Sequence, residues 1–103
     1  MTGLGIIVAG VDPVRFRTAL TLAAAQAALG GRVRILLDSG AVTLAATLDT
    51  LFESCFELGA EVTICQTGLA EASLDASMLD PRFCYGGMVG WLAGIGADRL
   101  VIA

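Results

Sequence analysis

Short apolar runs alternate along the chain with longer amphipathic stretches, and that alternation predicts the elements. Leu4 to Val8, within LGIIVAG, is a continuous apolar run rich in β-branched residues. Such a run suits a strand covered on both faces. Gly10 breaks it. Asp12 stands where a helix N-cap belongs, and Pro13 at the first helical position. Phe16, Ala19, Leu20, Ala23, Ala24 and Ala27 recur at helical spacing, so a helix runs to about Leu29, where Gly30 and Gly31 stop it. Its small alanine face favours a close approach to a sheet.

Val33 to Leu37 is a second apolar strand, closed by an Asp38-Ser39-Gly40 turn. Ala41 to Ala46 reads equally as a short helix or an irregular crossover. The next helix covers about Leu48 to Leu58, with Leu48, Leu51, Phe52, Cys55 and Phe56 on one face, Asp49, Glu53 and Glu57 on or near the other, and Gly59 as its stop. The third strand is Glu61 to Cys65, followed by a polar Gln66-Thr67-Gly68 turn. Leu69 to Leu79 is helical in part, up to Asp80-Pro81. Met88 to Ile95 forms a further helix, with Trp91, Leu92 and Ile95 toward the sheet, and Arg99 to Ile102 a last strand. Strands alternating with helices indicate βαβ units with right-handed crossovers. The chain reads as one α/β domain over residues 1–103. Its core is a four-stranded parallel sheet with room for a short fifth strand, and the strand order is left open.

Composition changes this picture in one respect. The chain is 56% hydrophobic and only 16% charged, against roughly 45–50% apolar and about 25% charged in ordinary soluble domains. No run reaches the 18 or so uninterrupted apolar residues of a membrane span. The excess therefore points to a soluble homo-oligomer, and Phe83, Tyr85, Met88 and Trp91 are the expected interface anchors. The net charge is −4, all six basic residues are arginine, and histidine is absent. A nucleic-acid-binding stripe and a histidine-based catalytic or metal centre are excluded. Three cysteines without a C-x-x-C pair do not make a secreted disulfide framework. With no basic segment ahead of the first apolar run, no secretory signal is expected and a cytoplasmic location is.

Parallel sheets bind ligands beyond the C-terminal ends of their strands. Three turns share that edge: Gly10-Val11-Asp12, Asp38-Ser39-Gly40 and Cys65-Gln66-Thr67. Cys65 is the strong nucleophile among them once ionised. A small buried cysteine with no chemistry is the competing reading. Cys55, between Phe52 and Phe56, reads as core. Cys84, in the aromatic loop Arg82-Phe83-Cys84-Tyr85, reads as a second thiol near the site or as a packing residue. A phosphate-accepting receiver is excluded, because Cys65 replaces the acidic residue that would end the third strand and no lysine exists. A cysteine phosphatase is excluded because position 71, six residues on, is Glu71 and not arginine. Asp12 and Asp38 also serve as ordinary cap and turn residues, so no metal is expected, and without a full glycine-rich fingerprint no cofactor is either.

Together the segments LGIIVAG with VDPVRFRTALTLAAAQAALGG, RVRILLDSGAV, LFESCFELGAEVTICQTGL and GADRLVIA resemble the DsrE/DsrF-like family of small sulfur-relay proteins. The resemblance covers essentially the whole chain and lies mostly in the order of the segments. It implies a three-layer α/β/α sandwich with a mainly parallel four- or five-stranded sheet. It also implies a homotrimer or hexamer, with sulfur donor and acceptor proteins as partners. In that family a cysteine ending the third strand can accept a persulfide sulfur. Cys65 matches that position, and Gly68-Leu69 the glycine-leucine that follows it. On this reading Gly10, Asp12 and Ser39 line the cavity, and Gln66 and Thr67 position the sulfur by hydrogen bonds. The chain would be a carrier as much as a turnover enzyme. Two alternatives stay open. One is a non-catalytic assembly module that binds a small anion or a protein. The other is a redox-responsive thiol protein pairing Cys65 with Cys84, which needs α-carbons within about 7 Å.

Overall fold

The computed structural model describes residues 2–47 and 50–103. Five strands form one sheet: β1 (Leu4–Val8), β2 (Val33–Leu37), β3 (Glu61–Cys65), β4 (Cys84–Gly86) and β5 (Arg99–Ile102). Their order is β4-β3-β2-β1-β5, and every pairing is parallel. The helices are α1 (Pro13–Ala28), α2 (Thr50–Glu57), α3 (Gln66–Glu71) and α4 (Met88–Ala93), with 3-10 segments at Ser39–Ala46 and Ala76–Met78. This is a three-layer α/β/α sandwich.

The four strands expected from apolar runs form over the expected residues. Asp12 caps α1, its Oδ1 accepting from the backbone N–H groups of Val14 (2.9 Å) and Arg15 (3.2 Å). Phe16, Ala19, Leu20 and Ala23 of α1 pack on alternate strand residues Leu4, Ile6, Val33, Ile35, Val62 and Ile64, together with Phe52 and Cys55 of α2. This is the larger core. The smaller one lies on the other face, where Trp91 of α4 covers Ile7 and Leu36, with Met88 and Ile95 beside it. The connection from β4 to β5 runs back across the whole sheet, and a right-handed crossover in that direction puts α4 on the face opposite α1 and α2.

Several expectations are corrected. Gln66-Thr67-Gly68 is not a free turn but the first part of α3. It looked like a turn because Gln66 and Thr67 face outward, while Gly68 and Leu69 are buried. The Ala41 to Ala46 stretch resolves as part of the 3-10 segment. The helical part of Leu69 to Leu79 is the end of α3 and the Ala76–Met78 segment. Leu92 is 39% exposed and joins neither core, whereas Trp91 and Ile95 do pack inward. Cys84 lies not in a loop but at the start of edge strand β4. The expected beginning of the second helix, at Leu48 and Asp49, lies outside the described residues. Among the described residues no helix is long and apolar enough to cross a membrane.

Cys55 is fully buried, its Sγ 3.5 Å from the carbonyl oxygen of Leu20, and burial pushes its thiol pKa up. An oxygen there would have a shorter reach to that carbonyl and a larger desolvation cost. Cys55→Ser is expected to lower stability by about 1–2 kcal/mol, read by denaturant unfolding. A midpoint equal to wild type would show that the site tolerates a hydroxyl.

The segment leading to β4 is tied down by Arg82. Its guanidinium donates to both carboxylate oxygens of Glu53 (2.8 and 2.6 Å) and to Asp80, and lies 4.5 Å from the Phe56 ring centre. The hydrogen bonds from Arg82 hold the Asp80 carboxyl at about 2, below its ordinary 3.8. Because the folded value is depressed, this tie is complete above about pH 4 and is lost as pH falls toward 2. Between pH 5 and pH 2, Arg82→Ala should therefore lose less thermal stability than wild type. Equal losses would remove Arg82 as the source of the pH dependence. Arg82 is exposed and Asp80 half-buried, so solvent screens the pair and the effect is small.

Candidate functional site

The C-terminal ends of the strands bring the expected site residues to one edge but not into one cavity. The strand order reverses between β1 and β5, and that switch point is where a parallel sheet opens a crevice. A cleft of about 560 Å³ lies there, lined among others by Gly10, Asp12, Arg15 and Ile102. Asp12 is already committed to capping α1.

Cys65 lies elsewhere along the same edge. It ends β3, and β2 separates β3 from β1, so Cys65 stands two strands, or about 10 Å, from the cleft. It is not among the cleft's lining residues, nor are Ser39, Gln66 and Thr67. Cys65 is also the N-cap residue of α3. Only 9% of its surface is exposed, and it touches the larger core, which Leu69 of α3 joins as well. The flanking Gln66 and Thr67 are exposed.

Ser39 is the nearer neighbour of this helix. Its backbone is left-handed (φ +49), a conformation that residues with a side chain seldom adopt. A Cβ on Gly68 would lie 3.0 Å from Val42 Cγ1 and 3.1 Å from the Ser39 carbonyl oxygen. Gly68 thus lets α3 settle against the turn that follows β2. The expected grouping of five cavity residues divides accordingly: Gly10 and Asp12 at the switch point, and Ser39, Gln66 and Thr67 around the start of α3.

No protein-family model matches the chain, and no curated protein matches it. Solved structures do. The YchN protein from E. coli aligns over the full length of both chains with a TM-score of 0.87 at 19% identity. This chain has the YchN fold. The protein of unknown function MTH1491 from Methanobacterium thermoautotrophicum likewise aligns over all of both chains, with a TM-score of 0.82 at 14% identity. The protein of unknown function BT1422 from Bacteroides thetaiotaomicron matches at 0.72 and 14%, over 96% of this chain and 94% of that one. The architecture implied by the DsrE/DsrF-like resemblance is the one observed.

Within the YchN fold the three cysteines have three different settings. Cys55 is core, Cys65 is nearly covered, and Cys84 is exposed; none is in a disulfide. Register sets Cys84 beside Thr63, and Gly86 beside Cys65. Cys65 and Cys84 are therefore diagonal neighbours with α-carbons about 8 Å apart, beyond the disulfide range of about 7 Å. The intramolecular disulfide is not accommodated by this backbone.

The four expected interface anchors divide by burial. Phe83 (5% exposed) is held edge-on between Phe52 and Phe56, and Trp91 (3% exposed) is the centre of the smaller core. Both are used inside the protomer. Tyr85 and Met88 are half-buried. The large apolar side chains left outside are others, among them Val89 (86% exposed) on α4 and Leu100 and Ile102 (73%) on β5. β5 is apolar over Leu100, Val101 and Ile102 yet stands at the sheet edge with one neighbour, β1.

Proposed function

We propose that this chain is a sulfur carrier. The thiolate of Cys65 attacks the outer sulfur of a donor persulfide. A new S–S bond forms on Cys65, the donor's own S–S bond breaks, and the donor leaves as a thiolate. An acceptor thiolate then removes the outer sulfur by the same exchange, so no net oxidant is consumed. The observation that carries the reading is the position of Cys65, the last residue of β3 at the C-terminal edge of an all-parallel sheet. That is the position at which the DsrE/DsrF-like resemblance expects the sulfur-accepting cysteine. Gln66 and Thr67, exposed at the start of α3, would hydrogen-bond the added sulfur, and Gly10, Asp12 and Ser39 would shape the approach along the edge. Donor and acceptor proteins in a reducing cytoplasm would supply and remove the sulfur. A homotrimer or hexamer fits the apolar residues left exposed on α4 and β5.

One observation favours a second reading. The limited exposure of Cys65 suits an assembly module in which that cysteine only packs. Peptide mass spectrometry after treatment of the folded protein with a persulfide donor separates the two. One extra sulfur on Cys65 is expected. A Cys65 that stays unmodified in the folded protein, yet reacts once the protein is unfolded, would establish the module.

A further inference from the structure

We propose that the groove beside Cys84 binds a zwitterionic thiol peptide of glutathione's class and holds it as a mixed disulfide on Cys84. The site is separate from Cys65 and does not depend on whether the chain carries sulfur. Cys84 is exposed on edge strand β4 and lines an open groove of about 250 Å³ with Arg34, Glu61, Thr63, Gly90 and Trp91. Two features around the thiol point to a ligand. The first is Trp91, which is only 3% exposed and whose indole N–H has no acceptor among the described residues. The far end of the indole reaches Gly5 on β1, away from β3 and β4, so the five-membered ring that bears the N–H is turned toward the groove. A buried donor without an acceptor destabilises the fold, and an acceptor on a ligand relieves that.

The second feature is a pair of opposite charges on the strands that floor the groove. The Arg34 side chain is 11% exposed, its Nε lies 3.6 Å from Oε2 of the half-exposed Glu61, and its guanidinium carbon is 5.2 Å from the Trp91 ring centre. With the indole N–H beside it, Arg34 takes a carboxylate, and Glu61 takes an ammonium. An α-amino acid head carries both. Spacing selects the length of the ligand. Glu61 lies two residues along β3 from Thr63, the partner of Cys84, and Arg34 is the partner of Glu61 on β2. Their α-carbons therefore stand about 8 Å and about 12 Å from that of Cys84. One residue of extended chain spans about 3.5 Å, so a single cysteine joined to Cys84 falls short. A thiol peptide whose amino acid head lies beyond a peptide link reaches the pair. Gly90 leaves room for it, since a Cβ there would meet nothing within 4 Å. In the reaction the Cys84 thiol gives its proton to solvent, and the thiolate attacks one sulfur of the oxidised peptide R–S–S–R. That S–S bond breaks, R–S⁻ leaves and takes up a proton, and Cys84–S–S–R forms. Cys84 is oxidised and one half of the disulfide is reduced. Cys55 and Cys65 are buried and do not line the groove, so neither stands beside the product to expel the peptide, and the adduct persists until an external thiol removes it.

The probe is glutathione disulfide, with cystine and the disulfide of mercaptoethanol as controls. The rate of modification at Cys84 is read by peptide mass spectrometry in the folded protein and in urea, where the unfolded chain gives the intrinsic reactivity of each reagent. Folding is expected to raise the preference for glutathione disulfide over each control by about tenfold. In Glu61→Gln that preference falls toward the unfolded value. In Gly90→Leu, a good helix former placed in the open space, glutathione disulfide slows far more than the mercaptoethanol disulfide. The emission of Trp91, the only tryptophan, shifts on modification by glutathione and not by mercaptoethanol. A preference equal in folded and unfolded wild type makes Cys84 an ordinary surface thiol and overturns the site, and that comparison needs neither variant. Attachment at Cys65 in place of Cys84, or an undiminished preference in a folded Glu61→Gln protein, overturns it as well. The sulfur-carrier reading is untouched by any of these results, because it is decided by persulfide loading of Cys65.

Discussion

Replacing Trp91 by alanine is expected to bring the protein close to unfolding at room temperature. The larger core has α1, α2 and the Ser39–Ala46 segment over it, but among the described residues the one helix on the opposite face is the six-residue α4. Trp91 supplies most of that cover. It lies on Ile7 and Leu36, and the Arg34 guanidinium carbon is 5.2 Å from its ring centre. A Cβ on Gly5 would stand 2.9 Å from the far end of the indole, so β1 has a glycine where the ring must lie. Losing a buried tryptophan costs about 3–5 kcal/mol, out of a total of about 5–15 kcal/mol for a domain of this kind. The melting temperature, followed by circular dichroism, should fall by roughly 15 °C or more. Trp91→Phe should cost far less, because the buried indole N–H has no hydrogen-bond partner among the described residues and its removal relieves a cost. A loss below about 1 kcal/mol in Trp91→Ala would mean that something other than α4, such as a neighbouring copy, covers this face.

The second large effect concerns chemistry and leaves the fold alone. Cys65→Ser should abolish sulfur loading at position 65, since a serine hydroxyl is not ionised near neutral pH and forms no persulfide. The two side chains are similar in size, and the position is at the rim of the sheet, so the melting temperature should move by only a few degrees. The required readout is the pair of measurements together. Lost loading with an unchanged melting curve assigns the sulfur to Cys65. Lost loading with a collapsed melting curve assigns Cys65 to packing. Undiminished stable sulfur at other cysteines would assign the cargo elsewhere.

Four of the five strands were legible because each is a short, mainly apolar run: β1 is unbroken, while Arg34 interrupts β2 and Glu61 and Thr63 punctuate β3 without breaking the pattern. The Asp12-Pro13 start of α1 was legible for a different reason: a cap and a first-turn proline are local chemistry. What escaped was decided at a distance. Gln66-Thr67-Gly68 carries turn residues, yet a strand followed by a parallel neighbour needs a crossover, and α3 begins it at once. β4 has three residues, too few for a period to show. Phe83 gave no hint that its partners were Phe52 and Phe56, since a ring records its hydrophobicity but not its direction. The site was legible as an edge and not as a cavity. Residue types predict which turns lie at the C-terminal ends of strands, but strand order decides which of those turns are neighbours. With β5 on the far side of β1, the crevice opened beside Gly10 and left Cys65 two strands away.

The pairing of β5 with β1 also bears on how the molecule reaches its native state. Leu4 lies beside both Val33 and Arg99. Closing the second of these loops, more than three times as long as the first, costs about 1 kcal/mol more in chain entropy. The neighbouring pairs β1–β2 and β2–β3 can zip along the sequence, whereas β1 waits for its second neighbour until almost the whole intervening chain has been arranged. Slow steps in folding should therefore converge on β5. Until it docks, the outer edge of β1 is an open, flat, apolar strand edge, the kind of surface on which partly folded copies pair with one another.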